Sequence, residues 1–311
     1  MDFKTTNTKG KFLSDAVSCI RKFSGETVVI KYGGSGLVDM ERIKTLAHDL
    51  VLLKSCGIDV ILVHGAGENT YKIFDGSNIK IDFEEGCAVT TKDNLELTEM
   101  LLSGHINKKL VLEICKAGGV ALGFSGKDAS MITAKKMRKT KRETDSNIEK
   151  IVDFGYLGVP FKINTEIFEI MNESPVIPVI SPVGFDSHYN TYIMNADDVA
   201  SAIASTLNAN RLILITESGG LKDESGNLIK AMTKCEATTF KKSKVLNKFI
   251  LQKLDTCLCA LQNGVYATHL ISAHQEHGVL LEMLTKDRSG TMIYNTDNVF
   301  NSENIDFDDY E

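Results

Sequence analysis

The chain has 311 residues, of which 43% are hydrophobic and 24% charged, enough apolar material for a full core in one large or two moderate domains. A net charge of −6 makes it a poor general binder of DNA or membranes and points to a small-molecule partner. No apolar run reaches the roughly 18 residues of a membrane span, and the polar amino terminus lacks the design of a signal peptide, so a cytoplasmic location is expected. Cys19, Cys56, Cys87, Cys115, Cys235, Cys257 and Cys259 include no CxxC pair and read as reduced core thiols.

Residues 11–23 carry Phe12, Leu13, Ala16, Val17, Ile20 and Phe23 on one stripe, an amphipathic helix ahead of the first strand. Three short apolar runs follow, at 27–30, 60–63 and 120–124, each ending in a glycine-bearing turn: Lys31-Tyr32-Gly33-Gly34, His64-Gly65-Ala66-Gly67 and Ser125-Gly126-Lys127-Asp128. The runs are continuous rather than alternating, as strands buried on both faces are. Helical spacing from Met40 to Val51 joins the first two, and a longer helix is expected from Asn94 to Lys116. Three such turns, side by side at strand ends, predict one anion-binding crevice, because glycine lets bare amides approach a phosphate.

Hairpins beside the main sheet are expected over 132–163, with the basic stretch Lys135 to Arg142 as their solvated tip. That stretch has no aromatic residues to stack on bases, so no nucleic-acid partner is expected. A strand at 176–180, a helix starting near Asn195 to Asp197 and a strand at 212–216 resume the parallel scheme. Helical patterns over 236–262, a strand at 268–272, a helix at 276–284 and a last strand at 291–294 complete it. The acidic segment 295–311 lacks periodicity and is expected to be mobile. The class is α/β with a central, mainly parallel sheet. A boundary near residue 184 would divide an acceptor-substrate lobe (26–184) from an ATP-binding lobe (185–294), with 1–25 as a separate helix.

None of the turns fits GxxxxGK[ST] or GxGxxG. Lys31 stands out because it ends a buried apolar run, with only Tyr32 between it and two glycines, where an ammonium needs an anion nearby; the alternative is a lysine reaching solvent at the sheet edge. Taken singly, Asp197 reads as a helix cap, Lys253 as a surface lysine and Glu217 as a turn former or nucleotide contact. His48, His105, His188, His269 and His274 lack metal-ligand spacing with the cysteines, and no residue is assigned to a metal.

Together, the segments VIKYGG (29–34), LVHGAG (62–67), NKKLV (107–111), GFSGKD (123–128), NADDVA (195–200) and GTMI (290–293) resemble, in order, those of the amino-acid kinase superfamily and, within it, the N-acetylglutamate kinase family. The resemblance implies the carbamate kinase-like fold, a three-layer αβα arrangement. It implies ATP and Mg²⁺ as cosubstrate and cofactor, and transfer of the γ-phosphoryl group to a carboxylate in arginine biosynthesis. By position, Lys31 and Lys253 match two lysines that neutralise the transferring group, and Asp197 the aspartate that holds them. Gly33, Gly34, Gly65, Gly67 and Glu217 fall at phosphate or nucleotide positions, and Ala66, Ala88, Ile193 and Asn195 at the acceptor.

Ala88 and Ile193 stand where the family places an arginine and an asparagine that hold the substrate's α-carboxylate, each such bond being worth about 1.5–3 kcal/mol. Ala66 replaces the middle glycine of the second turn. Phe249, Leu251 and Gln252 stand at or beside the family's glycine, methionine and proline ahead of Lys253. Three activities therefore stay open: an N-acetylglutamate kinase that holds the carboxylate otherwise, a paralogue acting on a related or carrier-linked carboxylate, and a non-catalytic ligand sensor. His277, Glu282 and Gly290 match the arginine-effector positions of hexameric relatives, or else are ordinary polar positions on a helix. The amino-terminal helix, whose apolar face needs a partner, predicts a homo-oligomer, a dimer or hexamer.

Overall fold

Val28, Val29 and Ile30 are wholly buried in β1 (Thr27–Tyr32). Val29 joins one apolar cluster while Val28 and Ile30 join a second. Since alternate residues of a strand face opposite sides, both faces of the sheet are covered. This computed structural model describes residues 3–37, 39–67, 83–84, 87–142, 149–172, 174–242, 246–285 and 288–295.

Before β1 runs α1 (Phe3–Phe23). After it come a 3-10 turn (Gly34–Leu37), α2 (Met40–Ser55), β2 (Asp59–His64), β3 (Phe83–Glu84), β4 (Cys87–Ala88) and α3 (Lys92–Glu99). A π-helical segment (Met100–Ile106) leads into α4 (Asn107–Lys116), followed by β5 (Val120–Ser125), β6 (Ile132–Arg142), β7 (Glu149–Ile163), α5 (Glu166–Asn172), β8 (Val176–Ser181), β9 (Val183–Phe185) and β10 (Thr191–Met194). The remainder is α6 (Ala196–Thr206), β11 (Arg211–Thr216), β12 (Ala231–Thr233), α7 (Lys234–Phe240), α8 (Lys248–Gln262), β13 (Ala267–Ser272), α9 (Gly278–Leu284) and β14 (Thr291–Tyr294).

Among the described residues eight strands form one sheet in the order β12-β14-β13-β11-β1-β2-β8-β5. Only β13 and β14 run antiparallel within it. Residues of α6 and α8 (Val199, Ile203, Leu254, Cys257) pack on one face. Those of α2, α4 and α9 (Ile43, Leu50, Leu110, Ile114, Val279) pack on the other. The three-layer αβα arrangement is therefore present. β6, β7, β9 and β10 close a small barrel beside the sheet, which is where the hairpins were expected. The basic stretch lies along the β6 arm, with Lys136 Nζ 2.8 Å from Asp153 Oδ1. Residue 184 falls inside β9, so the two halves of the chain pass into each other through a strand, not a linker.

Several expectations need correction. β5 is an edge strand, with Val120 50% and Leu122 49% exposed; an apolar run reports hydrophobicity but not how many neighbours a strand has. β8 separates β5 from β2, so the third turn does not adjoin the first two. The expected helix 94–116 contains the π segment, at Ser103-Gly104, two poor helix formers. There Ser103 Oγ meets Ser181 Oγ at 2.9 Å. The cysteines are not all core thiols: Cys257 is buried, but Cys115, Cys235 and Cys259 are exposed. The segment 296–311 lies outside the described residues.

Candidate active site

The carboxyl ends of β1 and β2 meet the amino terminus of α6. Asn195 caps that helix, its Oδ1 accepting from Asp197 N at 2.8 Å, a contact worth about 1 kcal/mol. Capping turns Asp197 inward in the first helical turn, where the macrodipole favours a carboxylate. Lys31 Nζ lies 2.8 Å from Asp197 Oδ1, and Lys253 Nζ, from the second turn of α8, donates to Oδ2 at 3.0 Å. Lys31 is only 8% exposed. The three residues thus form one cluster, although they come from a strand and two helices.

Burial alone would push the Asp197 carboxyl up, but Lys31 and Lys253 outweigh it and hold the group well below the usual carboxylate range. Burial pulls the Lys31 ammonium below its ordinary value, Asp197 opposes that, and the charge of Lys253 adds to it. Two cations share one anion here, leaving a local surplus of positive charge.

Glycine serves geometry at three points. A Cβ on Gly33 would sit 3.1 Å from Lys31 Nζ, so its absence gives the ammonium room. Gly34 takes φ +73°, a left-handed conformation costly for other residues. A Cβ on Gly67 would collide with the carbonyl oxygen of Gly34, so the first two turns touch backbone to backbone. Gly65 N donates to Tyr32 O at 2.9 Å. Ala66 lies outside the left-handed region, and its methyl packs on the α2/α4 cluster without strain.

The third turn has a different use. Gly123 makes space for Asn107 and Gly126 for the carbonyl of Val183. Asp128 Oδ2 accepts from Ser125 N, and Lys127 pairs with Glu99 at 2.7 Å. These contacts stitch β5 to its neighbours.

Two groups escaped the sequence reading. His64 is fully buried, and burial pushes its imidazole down to about 4. Its Nε2 lies 3.2 Å from Asn107 Nδ2 and its Nδ1 3.2 Å from Gly65 O. As the amide donates, neutral His64 carries its proton on Nδ1, facing the Gly65 carbonyl. Arg42 reaches His274 Nδ1 at 2.8 Å, and His274 Nε2 lies 3.1 Å from Glu217 Oε2. Glu217 borders Gly34, since a Cβ there would be 3.3 Å from Oε1. The only local hint was Arg42 three residues after the α2 cap, Asp39.

Of the expected acceptor positions, all but Asn195 are apolar. Ile193 is buried with Val183 and Leu102. Ala88 pairs through its backbone with Phe83, its side chain lying outside the described residues. The effector positions diverge: His277 Nδ1 contacts Asp49 Oδ1 at 2.6 Å. Glu282 turns into the core, meeting His269 Nδ1 at 2.8 Å and accepting from Gly290 N at 3.0 Å. A groove of ≈ 830 Å³, lined by Asn195, Asp197, Gln252 and Thr256 among others, borders the cluster.

The model of the amino acid kinase family matches residues 26–272. The chain belongs to that family. An acetylglutamate kinase of Parvibaculum lavamentivorans is 39% identical over 92% of this chain and 94% of its own length. One of Ehrlichia chaffeensis is 41% identical over 92% and 90%. Solved structures similar in fold include N-acetylglutamate synthase of Neisseria gonorrhoeae with coenzyme A and L-arginine, at TM-score 0.74 and 22% identity, covering 91% of this chain and 65% of that one. Carbamate kinase of Giardia matches at TM-score 0.59 and 13% identity, over 88% and 99%. The Lys31-Asp197-Lys253 cluster lies at the carboxyl end of β1, on the side where open α/β sheets collect ligands.

Proposed function

We propose that the protein transfers the γ-phosphoryl group of ATP to the side-chain carboxylate of N-acetyl-L-glutamate, forming an acyl phosphate for arginine biosynthesis. The observation that carries this reading is the pair of ammonium groups held on Asp197, and acetylglutamate kinases about 40% identical to the chain support the acceptor. An acceptor carboxylate is already ionised at neutral pH, so no general base is needed. The task is to bring two anions into line and to neutralise charge as it shifts between them.

Lys31 and Lys253 contact the transferring group, and the amides around Gly33, Gly34, Gly65 and Gly67 supply further donors. Asp197 has both oxygens taken by ammonium groups, which makes it a positioning residue. Mg²⁺ accompanying the nucleotide would supply further charge neutralisation there. Glu217, beside Gly34, faces the nucleotide. The acceptor lies against Ala66 and Ile193, next to Ala88 and Asn195, so its acetyl and methylene groups meet apolar surface. Purified protein should release ADP and form an acyl phosphate, trapped by hydroxylamine, only with both ATP and N-acetyl-L-glutamate present. Absence of turnover at saturating concentrations of both would remove this reading.

Arginine as an effector belongs to the same proposal. Its guanidinium would have to displace the partners that Glu282 already holds. We also infer a homo-oligomer, because Leu13 and Val17 expose an apolar stripe on α1. Removing residues 1–24 should lower the mass measured by light scattering; an unchanged mass refutes a role for that helix.

A further inference from the structure

We propose that His48, Asp49 and His277 form a site for a divalent transition-metal ion of the zinc type, bridging α2 and the start of α9. One ligand atom from each side chain lies within 4.8 Å of the other two. The two rings stand 5.9 Å apart between centroids at 67°. With metal–nitrogen bonds of about 2.0–2.1 Å, two imidazoles on one ion place their centroids roughly 5–6 Å apart. The rings therefore need only small rotations to share an ion.

Asp49 anchors the group. Its side chain is 2% exposed, and its Oδ1 lies 2.6 Å from His277 Nδ1. The carboxylate also accepts a backbone hydrogen bond from Leu280. An ion taking the place of the proton shared in the Asp49–His277 contact would turn it into two coordinate bonds, one to each side chain. His277, by contrast, has half of its side chain in solvent, and His48 is exposed, leaving a route of entry and freedom to adjust. His277 sits at φ +52°, and its ring meets Asp49 of α2.

The surroundings suit a cation. Glu41 and Glu276 line the adjoining cavity of ≈ 190 Å³. The nearby cation, Arg42, is engaged by Asp39 at 3.1 Å and by His274. Two imidazoles with one carboxylate select zinc and its neighbours over Mg²⁺, which prefers all-oxygen coordination. The site is thus chemically separate from the magnesium of the nucleotide.

Chelator-treated full-length protein titrated with zinc chloride in a calorimeter should take up one equivalent, and magnesium chloride should give no such step. His48→Ala and Asp49→Asn should each weaken zinc binding at least 10-fold, with unchanged circular dichroism confirming the fold; loss in either variant supports the site. Failure of the native chain to bind zinc, or binding unaltered in both variants, would overturn it. The latter result would place the ion on the exposed thiols of Cys115, Cys235 or Cys259.

Discussion

Lys31→Ala is expected to lower kcat by about 10²–10³-fold with little change in KM for ATP. Removing one fixed donor from a developing oxyanion typically costs that much, and Lys31 is buried where a lost charge is poorly replaced by water. Lys253→Ala should act in the same range, somewhat less because its side chain is 20% exposed and solvent cations can partly substitute. The double variant should fall short of the product of the two, since both lysines act on one group through one aspartate. Asp197→Asn keeps the shape but frees both ammonium groups from their anchor, so it should depress kcat and also lower the unfolding midpoint. Should Lys31→Ala keep kcat within about 5-fold of native, the lysine does not touch the transferring phosphoryl group.

Acidification from pH 7 to 4.5 is expected to remove several kcal/mol of folding stability before most carboxylates titrate. His64 and His269 are each pushed down to about 4 by burial, against about 6.5 in an unfolded chain. Between those values the unfolded state binds the extra protons, so stability is fully present above about 6.5 and is lost as pH falls toward 4. Each histidine contributes about 3 kcal/mol over that window. The groups facing them do not cancel the effect. Lys108 adds to the depression of His64, whereas Glu282 opposes that of His269 against the charges of Arg211 and Arg288, and burial outweighs all of them. Urea midpoints at a series of pH values should show a steep acid limb, and His64→Asn should flatten it by about half. A midpoint constant from pH 7 to 5 would contradict buried neutral imidazoles at these positions.

Parallel strands and the first two turns were legible in the sequence because their signals are local. Val28 to Ile30 are apolar because both faces are covered, and Gly33 and Gly34 follow the end of the strand, where the backbone must bend. Asn195 announced a helix start that the cap hydrogen bond bears out. Lys253 was reachable only through family resemblance, since a single lysine on a helix carries no mark of the aspartate 56 residues away.

What stayed hidden depended on neighbours. Nothing in the residues of β5 reveals that one side is open. Nor does sequence spacing show that Arg42 meets His274 across 232 residues or that His277 meets Asp49 across 228. Glu282 read either as an arginine-effector position or as an ordinary polar position on a helix, and spacing gave no sign that it is buried against His269 of β13.

The positive surplus around Asp197 has a kinetic corollary. Like any catalyst, a cluster that stabilises one transition state lowers the barrier equally from either side. Acyl phosphates are more energetic donors than ATP, so the same three residues would rebuild ATP readily from ADP and accumulated product. Net flux then depends on how fast some following reaction, one that reduces or otherwise consumes an acyl phosphate, carries the product away.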